Sequence, residues 1–275
     1  MQERLFQYFT KHSGLFLSNS RQALTGFDAD AIHDMRVAVK RIRAVYLLLE
    51  RLFPDTFNSV SEEGRLKELF RFSGRMRDIQ VQKLLLESYS ANLDTTFGDY
   101  KSYLEDSEKK AVKKFRKLLQ EFSAEEYVKH KLKLVEGLIA LTAGEQVRKQ
   151  IIGFVDELME AAKEMRIDQE HDENLHEIRR KLKQCHYLLS VFDPEDPDLP
   201  TLNKTIRHLD HVNELLGDWH DQVVAMEMLD RFLEKHIEKE ITGNNRYVLL
   251  RENLSVNRHL LYIKILSYIE VKLSF

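Results

Sequence analysis

His33, Arg36, Lys40 and Arg43 follow one another at i, i+3, i+7 and i+10. An α-helix advances about 100° per residue, so that spacing stacks the four side chains into one narrow row. Met35, Val39, Ile42, Tyr46, Leu49 and Phe53 fall on a separate apolar face, displaced from the row by roughly 110°. No acidic residue stands in the row, whereas a solvated helix face usually mixes signs for i,i+4 pairing. Like charges one or two turns apart repel unless something negative sits among them. Arg supplies a fork of donors suited to phosphate oxygens and Lys a point charge, so these residue types at this spacing point to anion binding.

The block Ile32–Arg43 returns in weakened form at Leu175–His186, an offset of 143 residues. The same offset carries Gly74, Arg77 and Asp78 onto Gly217, His220 and Asp221. Two separate segments matching at one displacement mark an internal duplication. In the second copy His176, Arg179, Lys183 and His186 form the row, beside an apolar face of Ile178, Leu182, Cys185, Leu189 and Phe192. Gly74 and Gly217 fall in the middle of helical patterns, where Gly costs about 1 kcal/mol relative to Ala; their recurrence suggests close helix approach or a bend. Helical projection places Arg77 with Leu66, Leu69, Ser73 and Leu84, toward the bundle interior or its mouth. A buried Arg needs a partner, and Asp78 and an anionic ligand are the two candidates. Lys113 and Arg116, with Lys117, could close one wall of a basic groove.

Positioning these rows falls to long helices. Only 10 Gly and 4 Pro punctuate 275 residues, and charged residues make up 32 %, the composition of amphipathic helices rather than sheets. Apolar periodicity predicts an all-α chain of eight segments, at about 3–25, 29–53, 58–91, 98–141, 144–167, 173–192, 198–237 and 244–273, the fourth interrupted near Phe122 and Ser123. Short connections make neighbouring helices antiparallel, so residues 1–143 and 144–275 are each expected to form an up-and-down four-helix bundle, the two related by a pseudo-two-fold. Parts of the third and fourth helices of each half could be shared.

The net charge of −3 hides an asymmetry: residues 1–143 hold 24 Lys and Arg against 20 Asp and Glu, residues 144–275 hold 18 against 25. An anion site is therefore expected to lean on the first half, with the row at His33 as the working copy. One cysteine, Cys185, excludes a disulfide framework and a multi-cysteine metal site. No basic and apolar leader pattern and no apolar run of about 20 residues is present, so a cytoplasmic protein without membrane contact is expected. No nucleophile elbow, phosphate-cradling Gly loop or His-Glu-x-x-His motif occurs, so neither catalysis nor a cofactor is expected. Glu173-x-x-His176 and Asp30-x-x-His33 echo di-metal bundle ligands, but they lie in different halves and are followed by cations that would repel a metal. His208 and His211 read as scattered helix-face histidines. Nucleic acid is the nearest rival ligand; a net acidic chain without an aromatic platform along the row fits a simple phosphate polymer better. A protein-binding scaffold would instead require an exposed apolar patch.

The block from His33 to Arg43, the Gly-x-x-Arg-Asp segment at 74–78 and their second copies resemble the CHAD family, the conserved histidine α-helical domain, over essentially the whole chain. The resemblance implies two four-helix bundles with a pseudo-two-fold, basic residues lining a central cavity, and binding of inorganic polyphosphate, often at polyphosphate granules. By motif position it assigns that role to His33, Arg36, Lys40, Arg41, Arg43 and Arg77 with Asp78, and in the second half to His176, Arg179 and Lys183. Departures are Gln184 in place of Arg41, His186 in place of Arg43 and His220 in place of Arg77, which implies weaker, asymmetric or acid-favoured binding in that half.

Overall fold

The computed structural model describes residues 1–26, 29–165, 172–236 and 245–272. Among these, all regular structure is α-helical: α1 Gln2–Thr25, α2 Ala29–Leu52, α3 Ser59–Glu63, α4 Arg65–Asn92, α5 Gly98–Glu121, α6 Ala124–Ala140, α7 Gly144–Lys163, α8 Asp172–Leu189, α9 Leu202–His236 and α10 Asn245–Lys272. No helix of the described residues is long and apolar enough to cross a membrane.

The third expected segment is broken into two helices, and the fourth is interrupted near Phe122 as expected. The third breaks at Gly64, whose φ of 48° lies in the left-handed region that favours glycine, so the chain turns between α3 and α4. Asn58 caps the short α3, accepting from the Ser61 amide at 2.8 Å. The fourth breaks at Phe122, where the backbone becomes extended (ψ 109°) and the ring is buried against Phe16 and Tyr127. Burying that ring favours the kink over a continued helix.

The amphipathic faces decide the packing. α1 buries Leu5, Phe9 and Phe16, and α2 buries Ile32, Met35, Val39, Ile42, Tyr46 and Leu49; these two helices pack along their lengths. α6 flanks α1, α7 lies along α8, and α10 lies along α9. The main apolar core runs through both halves, from Leu5 to Ile265. A second core joins the far ends of α4 and α5 (Ile79, Leu86, Tyr89, Tyr100, Leu104) to those of α9 and α10 (Leu229, Phe232, Tyr247, Leu250). Each fully buried Leu or Phe contributes about 2 kcal/mol, and in this second core all of it depends on elements from both sides of residue 143. α2 also meets α8, and α4 meets α9. These two contacts bring the rows of charge together.

Candidate anion-binding site

α2 carries Arg36 and Lys40 on the flank of its apolar face, and α8 carries Arg179 and Lys183 at the equivalent places. The α2–α8 contact turns the two rows toward each other, so that Lys40 feels Lys183, Arg36 and Arg179 at close range. α4 contributes Arg77 and Asp78, and α9 contributes His220 and Asp221. His33 stands exposed at the rim beside Arg77, while His176 sits against the rings of Trp219 (5.0 Å) and His220 (4.9 Å). A single cluster results, built from both copies of the repeat rather than from the first alone.

Desolvation dominates its electrostatics. Burial, followed by repulsion from Lys183, Arg36 and Arg179, pulls the Lys40 amine down to about 6. Burial and Arg179 pull Lys183 down to about 8. Burial holds Arg36 at about 10 against the attraction of Asp78. His220, half-buried and facing Arg179, His176 and Lys183, is held near 3 by desolvation first and those cations second. The carboxyls move the other way: burial raises Asp78, and burial raises Asp221 to about 6 although Arg179 opposes it. Neither amine, Lys40 or Lys183, has an ion-pair or hydrogen-bond partner among the described residues. The Arg179 Nε and His220 Nδ1 are buried without partners as well. Arg36, Lys40, Arg77, Arg179 and Lys183 thus face Asp78 and Asp221 with positive charge in excess. Such a group repels itself and is relieved by an anion.

Arg36 is the best anchored member. Its guanidinium lies over the Phe70 ring (4.4 Å) and donates to the Phe70 carbonyl at 2.7 Å and the Ser73 hydroxyl at 3.1 Å. Gly74 makes this possible, since a Cβ there would come within 3.1 Å of Arg36 Nη1. Close approach at the mid-helix glycine thus holds in the first copy. Around Gly217 a Cβ would meet nothing within 4 Å, so no close approach like that of Arg36 is made at the second glycine.

Several expected site residues lie elsewhere. Arg43 leaves the row to pair with Glu63 at 2.6 Å while stacking on Phe70, because the turn at Gly64 brings α3 over that end of α2. Arg41 points to the α1 side, 3.3 Å from His12 and over the Tyr187 ring. His186 pairs with Asp210 at 3.0 Å. Lys113 and Arg116 are exposed on α5, and neither is among the charges that act on Arg36, Lys40, Asp78 or Lys183, so they stand outside the cluster. Arg77 forms no ion pair with Asp78, whose carboxylate is nearer Arg36, Lys40 and Arg179. Among the described residues no group of three His, Cys, Asp or Glu is placed to hold a metal; His208 and His211 both pack on Tyr268. Asp221 was not among the expected ligands, although the offset that maps Asp78 onto it is visible in the sequence.

These features define an all-helical protein whose two repeated basic helices converge on one partly buried cluster. The chain belongs to the CHAD domain family, which matches residues 7–230. Its fold is similar to the crystal structure of the CHAD domain from the plant Ricinus communis, with a TM-score of 0.75 at 15% identity, covering 98% of this chain and 92% of that one. It is also similar to PptA from Streptomyces chartreusis, with a TM-score of 0.72 at 12% identity, covering 98% of this chain and 99% of that one. No curated protein matches the sequence.

Proposed function

We propose that this protein binds inorganic polyphosphate, without hydrolysing it, in the cluster formed by α2, α4, α8 and α9. The observation that carries the reading is the pair Lys40 and Lys183, half-buried together with Arg36 and Arg179 and unpaired among the described residues. Like charges brought so close and desolvated cost stability unless a ligand neutralises them. Polyphosphate carries about one charge per phosphorus, and cations spaced about one helical turn, roughly 5 Å, apart meet it step by step. Family membership supports the same ligand, and with it a cytoplasmic protein found at polyphosphate granules.

The reading includes the duplication. Residues 1–143 and 144–275 are taken as the two halves of one CHAD domain, two bundles related by a pseudo-two-fold, each supplying one basic row. Support comes from the equivalent pairs Arg36 and Arg179, Lys40 and Lys183, Asp78 and Asp221, all meeting in one place.

Titrating labelled long-chain polyphosphate into wild type and Arg36→Ala/Lys40→Met tests it. Wild type should bind, more weakly as salt rises, the variant at least tenfold more weakly (about 1.4 kcal/mol), and no phosphate should be released on incubation. Equal affinity of the variant, or tighter binding of wild type to single-stranded DNA of matched charge, would sink the proposal.

A further inference from the structure

The basic surface continues beyond the buried cluster, on one side only. Measured round the α4 axis from Gly74, which faces Arg36, Asp78 lies at about 40°, Arg71 at about 60°, Arg75 at about 100° and Phe72 at about 160°. Arg71 and Arg75 are thus the next side chains outward from the cluster, and both are exposed. Phe72 turns toward α5, where Lys114 lies over its buried ring at 4.5 Å. The guanidinium carbons of Arg71 and Arg75 come within 5.0 and 5.7 Å of the same ring. Three cations therefore surround one aromatic side chain. Arg71 has a long contact to Glu68 at 3.9 Å, while Arg75 and Lys114 form no ion pair among the described residues.

The offset of 143 gives an internal control. It places Glu214 where the first half has Arg71 and Asp218 where it has Arg75. The equivalent face of α9 is acidic, and burial together with Glu214 pushes the Asp218 carboxyl above its usual range. Two faces that descend from one ancestral surface have opposite charge, although the rows they flank are both basic.

We infer that Arg71, Arg75 and Lys114 form a second anion-binding subsite, contiguous with the central cluster, along which a long polyphosphate leaves the protein on the first-half side alone. This rests on the polyphosphate reading. Phosphate oxygens would take forked donors from the two arginines and a point charge from Lys114. The acidic face of α9 repels the same polymer, so the chain has one preferred exit. Chains short enough to fit the central cluster would not reach the subsite.

Binding of tripolyphosphate and of polyphosphate of roughly a hundred units should be compared for wild type and Arg75→Glu/Lys114→Glu. The expected result is unchanged tripolyphosphate affinity, which also shows that the variant is folded, and a loss of about tenfold for the long chain with a shallower salt dependence. Equal long-chain affinity in the two proteins, or an equal loss for both ligands, overturns the subsite. If wild type binds neither polymer, the polyphosphate reading itself falls, and the subsite with it.

Discussion

Lys40 and Lys183 set how the site should respond to pH. Both amines are held below the ordinary lysine value in the free protein, first by burial and then by each other's neighbourhood of cations, at about 6 and about 8. A bound polyanion favours their protonated forms and raises both values. Binding therefore takes up protons wherever the free group is neutral, and affinity must fall as pH rises through and above those values. Asp221, held at about 6 by burial, acts in the same direction, since an adjacent anion favours its neutral form. From pH 6 to 9 the affinity for long-chain polyphosphate should drop by up to about tenfold per unit for each proton taken up. Calorimetry in two buffers of different ionisation enthalpy should detect that uptake; flat affinity over this range, or proton release, contradicts the assignment. His220, which stands in place of Arg77 and was expected to charge in mild acid, is a poor candidate for the transition, because it is held near 3. The row was legible in spacing and residue type. Which of its members turn inward was not, because Arg43 follows Glu63 and Arg41 follows His12, partners set by a turn and by a neighbouring helix.

At the level of elements, periodicity read the helices well, since an apolar stripe at 3.6-residue spacing has to be covered. The expected 29–53 and 144–167 became Ala29–Leu52 and Gly144–Lys163, with residues 166 and 167 outside the described chain. The two breaks differ: the interruption near Phe122 and Ser123 was legible in the sequence, whereas the other depends on a single positive φ at Gly64, which the apolar pattern does not reveal. The pairing of α2 with α8 is a contact between residues far apart in sequence and leaves no local signature, so one merged cluster could not be distinguished from two separate rows. The two mid-helix glycines separate the local effect from the tertiary one. At Gly217 a methyl group meets nothing, so Gly217→Ala should stabilise the protein by about 0.5 to 1 kcal/mol through helix propensity alone. At Gly74 the methyl meets the Arg36 guanidinium, whose flexible end can shift at small cost. Gly74→Ala should therefore melt close to wild type yet weaken polyphosphate binding severalfold, by moving Arg36 off Phe70 and Ser73. Denaturant unfolding and titration of both variants check the pair; equal effects on binding would detach Gly74 from the site.

For the whole molecule, the repeat in the sequence and the units of folding need not coincide. The α6–α7 turn at 141–143 is the natural cut between the copies, and Leu141 there is 77% exposed. Yet the second core has no complete wall on either side of that cut: Phe232 packs on Tyr100 (5.0 Å) and Tyr103 (5.3 Å), and Tyr247 on Phe97 (5.8 Å). Its polar seam also crosses, with the Tyr89 hydroxyl donating to Gln222 at 2.9 Å and Gln82 to the Asp221 carbonyl at 3.2 Å. Across the α2–α7 contact Arg51 lies over Phe154 at 4.4 Å and pairs with Glu157 at 2.6 Å. A fragment of residues 1–143 would expose these aromatic faces to water, a loss of about 1.5 to 3 kcal/mol for each large apolar side chain against a total stability of only about 5 to 15. Expressed alone, each fragment should give broad amide spectra and no cooperative melt. Mixed, 1–143 and 144–275 should associate one to one, because the surfaces each lacks are those the other holds, and should regain a single cooperative transition. Polyphosphate should promote that assembly, since Lys40 and Lys183 come from opposite fragments and a ligand between them binds only the joined form. Size-exclusion chromatography and calorimetry of the mixture, with and without polyphosphate, decide the matter. Two fragments that each melt cooperatively and bind polyphosphate unaided would mean that each row is complete in itself and that the shared cluster is not the working site.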